Sequence, residues 1–314
     1  MSNPLRIATR KSPLALWQAE EVQRRLAAKG VASELVQMST RGDEILDTPL
    51  AKIGGKGLFI KELQKGMLEG RADLAVHSMK DLPAEFPPGL HLAAILSREN
   101  PTDAFVSNLY KSLDQLPANA VVGTCSLRRQ SQILDKYPSL TLKDLRGNVN
   151  TRLKKLDDGE FDAIILASAG LIRLGLEDRI SAEISVDEIL PACAQGAIGI
   201  ESKTDDTSVN AILQQLHDDD TAARVLCERS LNARLGGSCQ TPIAAFAELT
   251  GDQLSLRGLV AMPDGSSLFE ASGSDNRNNG VALGNAVAEQ LLEAGADKVI
   301  RFLAEQRDGN SKQV

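Results

Sequence analysis

Short apolar runs alternate with amphipathic segments along the first two thirds of the chain. The runs have the length of buried strands, and the segments between them carry apolar residues at helical spacing. Helices that alternate with strands usually connect parallel strands. The pattern therefore predicts an α/β fold with parallel layers.

The alternation occurs as two similar copies. Each copy begins with a strand, a small polar turn that carries arginine, and a helix, at residues 5–26 and 120–134. Each copy ends with a Gly-x-x-Asp motif and an apolar strand, starting at Gly70 and at Gly159. Such a repeat predicts two similar α/β domains.

The last third of the chain has a different pattern. An acidic segment at 217–221 is followed by a helix, three strands with short turns between them, and two more helices. The strands are predicted near residues 243–249, 254–262 and 267–273, and the last helices near 280–294 and 297–306. Strands joined by short turns are typical of antiparallel sheets, so we expect a small α+β domain with a three-stranded antiparallel sheet.

Two segments are predicted to cross between the copies and so define the domain boundaries. The segment "SRENPTDAF" (97–105) leads into the second copy, and "PACAQGAIGIES" (191–202) returns to the first. Two crossings predict a hinged cleft between the α/β domains. The predicted domains are residues 1–98 with 197–216, residues 99–196, and residues 217–314.

Composition narrows the possible functions. With 314 residues, 42% of them hydrophobic, the chain is long enough for more than one core. A net charge of −7 and 3% aromatic residues argue against nucleic acid as a partner. No apolar run reaches the roughly 18 residues of a membrane span and no apolar leader is visible, so we expect a cytoplasmic protein without a membrane partner. The four cysteines form no Cys-x-x-Cys pair and the three histidines are scattered, which predicts neither disulfides nor a metal site.

The turns after the predicted strands are basic. Ligands of open α/β sheets bind beyond the carboxyl ends of the strands, where helix N-termini also favour anions. A single arginine of this kind is most often a solvated charge, but a set repeated in both copies predicts anion binding. No phosphate-binding Gly-x-x-x-x-Gly-Lys motif is present, which favours carboxylates as ligands. The residues are Arg10, Arg128, Arg129, Arg146, Arg152 and Arg173, with Asn148 at a helix start.

One acid, Asp81, lies among these bases. It follows Lys80 at the end of the strand in "DLAVHSMKDLP" (73–83). An aspartate here is either a turn or helix-cap residue, or a carboxylate that stabilises a cationic intermediate or moves a proton. Both interpretations stay open from the residues alone.

Cys239 follows two glycines directly after a predicted helix, in "LGGSCQTP" (235–242). The C-terminal end of a helix disfavours a thiolate, which argues against an activated cysteine nucleophile. A thioether that forms once needs no permanent thiolate, and a buried or incidental cysteine is the alternative.

An insertion interrupts the first copy at residues 39–57. It is rich in glycine and charge and poor in core residues. We interpret it as a mobile lid, with an ordinary solvated loop as the alternative.

Seven motifs in chain order together resemble the porphobilinogen deaminase family, also called hydroxymethylbilane synthases. The likeness covers nearly the whole chain in order, and so many separate motifs make a chance likeness remote. The motifs are "ATRKSPLALWQA", "GGKGLFIKELQ", "HSMKDLP", "GTCSLRRQ", "DLRGNVNTRL", "PACAQGAIGIE" and "ERSLNARLGGSCQTP".

The resemblance implies a reaction and a cofactor. Cys239 would carry a dipyrromethane through a thioether, built from the enzyme's own substrate. Four porphobilinogen units would be added to it in turn, each with loss of ammonia, and hydrolysis would release hydroxymethylbilane. The family also implies a monomer with porphobilinogen as its small-molecule partner.

The resemblance further implies roles for individual residues. Asp81 would be the central catalytic group, stabilising the cation left when ammonia departs, and Arg146 would assist that departure. Cofactor binding would involve Lys80, Asp81, Thr124, Ser126, Arg128, Arg129, Asn148 and Gln195. Substrate binding would involve Arg10, Ser12, Gln18, Arg146, Arg152 and Arg173, and the lid region would include Lys52, Lys56 and Phe59.

Two other functions fit the predicted architecture. Twin α/β domains of the periplasmic-binding-protein type bind carboxylates without reacting, but such proteins do not require a cysteine on a third domain. A phosphoribosyl-type transferase would need an acidic diphosphate-binding motif, which is absent. A non-catalytic anion-binding protein therefore stays as the main alternative.

Overall fold

The computed structural model describes residues 3–39, 60–238 and 241–311, with side chains up to residue 306. Almost all of the proposed lid at 39–57 lies outside the described residues, as do Phe59 and Cys239. The described chain forms two compact units. The first contains the residues up to Glu99 together with Gly196–Ala222, and the second contains Asn100–Gln195 and the residues from Ala223 onward.

The described elements are numbered in chain order. The strands are β1 Leu5–Arg10, β2 Ser33–Met38, β3 Leu74–Ser78, β4 Leu90–Ile95, β5 Asp103–Val106, β6 Val121–Gly123, β7 Thr141–Lys143, β8 Ala163–Ala167, β9 Ala182–Ile184, β10 Ile198–Lys203, β11 Ile243–Thr250, β12 Gln253–Ala261 and β13 Leu268–Asn276. The α-helices are α1 Pro13–Ala28, α2 Lys61–Leu68, α3 Leu127–Lys136, α4 Val149–Asp157, α5 Ser168–Arg173, α6 Thr207–Gln214, α7 Asp219–Arg234, α8 Gly280–Leu291 and α9 Asp297–Ser311. None of the helices in the described part of the chain is long and apolar enough to cross a membrane.

Each unit contains a five-stranded sheet, and the two sheets have equivalent topologies. The order is β2-β1-β3-β10-β4 in the first unit and β7-β6-β8-β5-β9 in the second. The first three strands of each order are parallel, whereas β10 and β5, in equivalent positions, are antiparallel to their neighbours. The predicted repeat of two α/β sheets is confirmed.

The predicted parallel arrangement applies to four strands of each sheet, and the fifth strand, β10 or β5, is antiparallel. Strand β5 begins within the first predicted crossing segment, and β10 begins within the second. No helix connects either strand to the strand before it in the chain. Strands joined by a helix are usually parallel, but that rule does not set the direction of β5 or β10.

The two Gly-x-x-Asp motifs have the same structural role. Asp73 Oδ2 accepts a hydrogen bond from the backbone N–H of Arg6 at 2.8 Å, and Asp162 Oδ2 accepts one from Val121 N at 2.7 Å. Each carboxylate therefore links the turn before the third strand of its copy to the first strand, which means β3 to β1 in one copy and β8 to β6 in the other. The local likeness in sequence reflects a shared hydrogen bond.

The predicted three-stranded antiparallel sheet is confirmed as β11-β12-β13. It lies in the second unit. Its core contains Leu231 of α7 together with Val287 and Leu291 of α8. Gly258 of β12 permits this packing, because a Cβ there would lie 2.6 Å from Leu231 Cδ1. Helix α7, which leads toward Cys239, is thereby held close to the sheet.

This close approach makes a stability prediction. Gly258→Ala should lower the free energy of unfolding by about 1–3 kcal/mol, because overpacking forces Leu231 and its neighbours to shift. Gly273→Ala on β13 is the matched control, since a Cβ there approaches its nearest neighbour, Leu283 Cδ1, only to 3.1 Å. Urea unfolding of both variants checks the prediction. A larger loss for Gly273→Ala than for Gly258→Ala would contradict it.

Candidate active site

Two adjacent arginines are buried at the start of helix α3 in the second unit. Arg128 is 3% exposed and Arg129 is 6% exposed. Arg128 Nη2 lies 2.8 Å from Asp103 Oδ2, and Arg129 Nη2 lies 2.6 Å from Asp103 Oδ1. The two arginines were predicted as cations facing a ligand, and the structure places a fully buried carboxylate between them. We call Arg128 and Arg129 the arginine pair.

Burial and the charges of the neighbouring side chains determine the pKa values of Asp103 and Arg128. Burial alone would raise the pKa of Asp103, but the two guanidinium groups outweigh it and hold the pKa well below its usual range. Burial lowers the pKa of Arg128, and Asp103 opposes that shift. An arginine nevertheless stays charged at physiological pH. The three side chains therefore carry a net charge of about +1 in a buried environment.

Backbone carbonyls fix the orientation of both guanidinium groups. Arg128 Nη1 donates to Leu190 O at 2.8 Å, and Arg129 Nη1 donates to Ile165 O at 2.9 Å. A guanidinium has five N–H donors, so these contacts and Asp103 use a minority of them. The buried Nε of each arginine has no hydrogen-bond partner among the described residues. The pair therefore has donor capacity left for a further acceptor.

Gln195 supports Asp103 from a distant part of the chain. It is 1% exposed, and its Nε2 donates to Asp103 Oδ1 at 2.9 Å and to Pro101 O at 2.8 Å. The structure thus brings the predicted cofactor-binding residues Arg128, Arg129 and Gln195 together around Asp103. Direct contact between Gln195 and a cofactor stays a prediction.

The start of helix α3 also favours an anion. Ser126 is its N-cap residue but makes no side-chain cap hydrogen bond, and no acid lies in the first turn. Thr124 Oγ1 instead accepts a hydrogen bond from Ser126 N at 3.3 Å. Uncapped N–H groups at a helix N-terminus attract negative charge. Thr124 and Ser126, both predicted to bind the cofactor, therefore lie where such binding is physically favoured.

The remaining predicted residues of the second unit lie at ends of short helices. Asn148 is the N-cap of α4, and its Oδ1 accepts from Thr151 N at 2.9 Å. Arg152, in the first turn of α4, donates from Nε to Gly147 O at 2.8 Å. Arg146 is half-buried before α4, and Arg173 is buried in the last turn of α5. Their ligand contacts stay predictions.

Asp81 ends a single 3-10 turn, Met79–Asp81, that directly follows β3 in the first unit. Met79 N donates to Ala197 O at 3.0 Å, which joins the turn to the start of β10. Asp81 is half-buried and Lys80 is exposed. The turn therefore presents a carboxylate and an ammonium group at the carboxyl end of a parallel strand, as the sequence predicted.

The predicted substrate residues of the first unit differ in their surroundings. Arg10 ends β1, and Ser12 is the N-cap of α1, where its Oγ accepts from Ala15 N at 3.4 Å. Gln18 is 3% exposed, and its Nε2 donates to Ser78 Oγ at 2.9 Å. Ser78 ends the strand before the Asp81 turn. Gln18 therefore anchors helix α1 to that strand end, and its contact with substrate stays a prediction.

The same strand end has a buried polar network on its other side. His77 Nε2 lies 2.9 Å from Glu201 Oε2, and Gln64 Nε2 donates to Glu201 Oε1 at 2.8 Å. Glu201 is fully buried. His77 is one of the three scattered histidines of the sequence, and no local signal predicted its pairing with Glu201. The described residues contain no group of three or more His, Cys, Asp or Glu side chains that could hold a metal.

The residues that flank Cys239 form a compact turn. Helix α7 ends at Arg234, and Gly236 follows with a φ of +66°, which suits glycine. Ser238 N donates to Thr241 Oγ1 at 2.8 Å, and Thr241 Oγ1 donates to Ser238 O at 2.6 Å. Ser238 and Thr241, which flank residues 239–240, are therefore linked by these two hydrogen bonds. This agrees with the predicted glycine turn at the end of a helix.

Asp103 is the main residue that sequence reasoning missed. Its signal in the sequence is an acid at the start of the short apolar run "DAFV", at the predicted crossing into the second copy. A charged residue that begins a fully buried strand needs a partner, and two arginines follow the next strand. That combination could have identified the pairing.

Several solved structures are similar to this chain at low identity. The methionine-binding protein MetQ matches with a TM-score of 0.45 and 14% identity, over 69% of this chain and 91% of that one. The periplasmic VFT2 domain of Bordetella pertussis BvgS matches with a TM-score of 0.41 and 15% identity, over 70% and 90%. A nutrient-binding protein from Burkholderia cenocepacia, bound to methionine, matches with a TM-score of 0.43 and 14% identity, over 67% and 90%.

Two protein-family models match this chain in adjacent regions. Residues 5–211 match the model described as "Porphobilinogen deaminase, dipyromethane cofactor binding domain". Residues 222–293 match "Porphobilinogen deaminase, C-terminal domain". The first match contains Asp81, Asp103 and the arginine pair, and the second contains Cys239. The chain belongs to the porphobilinogen deaminase family.

Proposed function

We propose that this chain carries out the hydroxymethylbilane synthase reaction of its family on a dipyrromethane attached to Cys239 through a thioether. The family is a transferase of tetrapyrrole biosynthesis and has a dipyrromethane-binding domain. The attachment to Cys239 and the roles of individual residues are the parts that we propose. We further propose that the protein is a cytoplasmic monomer.

The observation that carries the proposal is the buried arginine pair on Asp103. Each pyrrole of a dipyrromethane has an acetate and a propionate, which are ionised at neutral pH because carboxyl pKa values lie near 4. A buried site with net positive charge and unused N–H donors suits such an anion. The uncapped N-terminus of α3 adds N–H groups and a favourable dipole. These residues therefore fit the cofactor's carboxylates.

The cofactor and the chain have separate tasks in the proposed reaction. When bound, the dipyrromethane supplies the nucleophilic pyrrole carbon to which the units are added. The arginine pair, with Lys80, Thr124, Ser126, Asn148 and Gln195, would bind and orient it. Arg10, Ser12, Gln18, Arg146, Arg152 and Arg173 would bind the incoming porphobilinogen or the growing chain.

Asp81 would stabilise positive charge on the substrate. A porphobilinogen that loses ammonia becomes a cation, and a fixed carboxylate lowers the energy of that charge. The Met79–Asp81 turn suits this role because Met79 N donates a hydrogen bond to Ala197 O. The turn directly follows β3, whose end is held by the contacts of Gln18 with Ser78 and of Glu201 with His77. Arg146 would assist the departure of ammonia.

The attachment can be tested by intact mass. The purified protein should be heavier than its sequence by two linked pyrrole units, and Cys239→Ser should remove that excess together with activity. Cys193→Ser is the matched control and should keep the excess, because it removes a thiol that lies outside the glycine turn of the proposed attachment site. An active protein with the bare polypeptide mass would contradict the proposal.

The catalytic role of Asp81 is tested by Asp81→Asn, which keeps the shape and removes the charge. We expect kcat to fall by at least about 10²-fold, while the melting temperature and the attached dipyrromethane are retained. Steady-state kinetics with porphobilinogen and intact mass measure both effects. Glu85→Gln, at an exposed acid nearby, should leave kcat unchanged. A similar kcat in Asp81→Asn and wild type would show that the acid was misassigned.

The role of Asp103 makes a pH-dependent prediction. Asp103→Asn leaves two buried guanidinium groups without the carboxylate, so unfolding free energy should fall by about 3–5 kcal/mol near neutral pH. Because the folded state lowers the pKa of Asp103, its contribution is full above the unfolded-state pKa of about 3.9 and is lost as the pH falls toward the folded-state pKa. The difference from wild type should therefore be constant from about pH 8 to about pH 5 and shrink below about pH 4.

Urea unfolding across this pH range measures the difference. Asp178→Asn, at an exposed acid of the same unit, should have little effect at any pH. The interpretation is wrong if Asp103→Asn is as stable as wild type near neutral pH, or if the difference grows on acidification.

A further inference from the structure

Glu228 of helix α7 joins three parts of the second unit. Its carboxylate is fully buried. Oε2 accepts a hydrogen bond from Ala194 N at 2.6 Å, and Oε1 accepts one from Ala247 N at 2.9 Å. Bonds from backbone N–H groups to a carboxylate are stronger than those between neutral groups. Glu228 therefore connects α7 to the loop before β10 and to strand β11.

Ala194, one of these partners, has an unfavourable backbone conformation. Its φ is +62°, in the left-handed region that residues with a Cβ rarely adopt. Among the described residues, Asn119 is the other non-glycine with positive φ, and asparagine adopts this region more readily. Such strain persists where the surroundings hold it in place. The short hydrogen bond from Ala194 N to Glu228 Oε2 is one such restraint.

The residue after Ala194 is Gln195, whose amide nitrogen donates to Asp103 Oδ1. Asp103 in turn contacts both members of the arginine pair. If Ala194 relaxed to a negative φ, the direction of the chain at Gln195 would change, and this hydrogen bond to Asp103 would be displaced. A continuous set of contacts therefore leads from Glu228 to Arg128 and Arg129.

We propose that Glu228 is a positioning residue: by holding Ala194 at positive φ it keeps Gln195 on Asp103, and thereby keeps the arginine pair in the geometry that binds the dipyrromethane carboxylates. The inference rests on the proposed function, because it assigns the cofactor to the arginine pair. Helix α7 also ends at the glycine turn that leads to Cys239. Glu228 would thus link the helix before the attachment site to the site that binds the carboxylates.

The first variant is Glu228→Gln, studied in the full-length protein with its cofactor. The amide has one acceptor oxygen for two backbone N–H groups and places a donor against one of them. We expect kcat to fall by at least about tenfold, because small misplacements of positioning groups have large kinetic effects. The KM for porphobilinogen should change by less than about threefold, because the variant displaces the bound dipyrromethane and not the incoming substrate.

The second variant adds Ala194→Gly to Glu228→Gln. Glycine adopts positive φ without the Cβ penalty, so the loop should keep its conformation without the hydrogen bond to the Glu228 carboxylate. We expect the double variant to recover at least about threefold in kcat over Glu228→Gln. A role of Glu228 in stability alone, or through other contacts, predicts no such recovery. Glu228→Asp with and without Ala194→Gly gives the same comparison if Glu228→Gln does not fold.

Two control variants complete the set. Glu248→Gln makes the same chemical change at an exposed position next to Ala247 and should leave kcat unchanged. Asn119→Gly replaces the other described non-glycine residue with positive φ and should not restore kcat to Glu228→Gln. An unaffected kcat in Glu228→Gln, or no recovery with Ala194→Gly, overturns this inference. A wild-type protein without bound dipyrromethane and without turnover overturns the proposed function instead, so the two failures are distinguishable.

Discussion

The interaction on which the second unit depends is the buried contact of one carboxylate with two guanidinium groups. Two adjacent arginines beneath the surface would repel each other and lose their hydration, and Asp103 compensates for both effects. One carboxylate cannot neutralise two cations, so a positive charge is left over. That excess lies beside a helix N-terminus without a side-chain cap, and both features favour an anion electrostatically.

Support for this contact comes from widely separated parts of the chain. Asp103 begins β5, Arg128 and Arg129 begin α3, and Gln195 lies in the loop before β10. Glu228, on α7, reaches the same loop through Ala194. The arginine pair and the residues that hold it therefore form one connected set. In the first unit, Gln18 and Glu201 support the strand before Asp81 in a comparable way.

The first three strands of each copy, the three-stranded sheet and the repeat were predictable from the sequence because their signals are local. Strand β12, expected near 254–262, spans Gln253–Ala261, since apolar alternation and a short turn define both of its ends. The direction of β5 and β10 was not predictable, because the crossing segments carry no periodicity that sets it. Asp103 was missed because its partners Arg129 and Gln195 lie 26 and 92 residues away along the chain. The hydrogen bond between Gln18 and Ser78 was not predicted either, because it spans 60 residues.

The central claim is that the arginine pair, held by Asp103, binds the carboxylates of the dipyrromethane. A high-resolution crystal structure of the purified, cofactor-loaded protein tests it most directly. We predict that a carboxylate of the dipyrromethane accepts hydrogen bonds from Arg128 and Arg129 while both arginines stay in contact with Asp103. A dipyrromethane whose carboxylates are bound elsewhere, with the arginine pair still enclosed on Asp103 alone, would contradict the account.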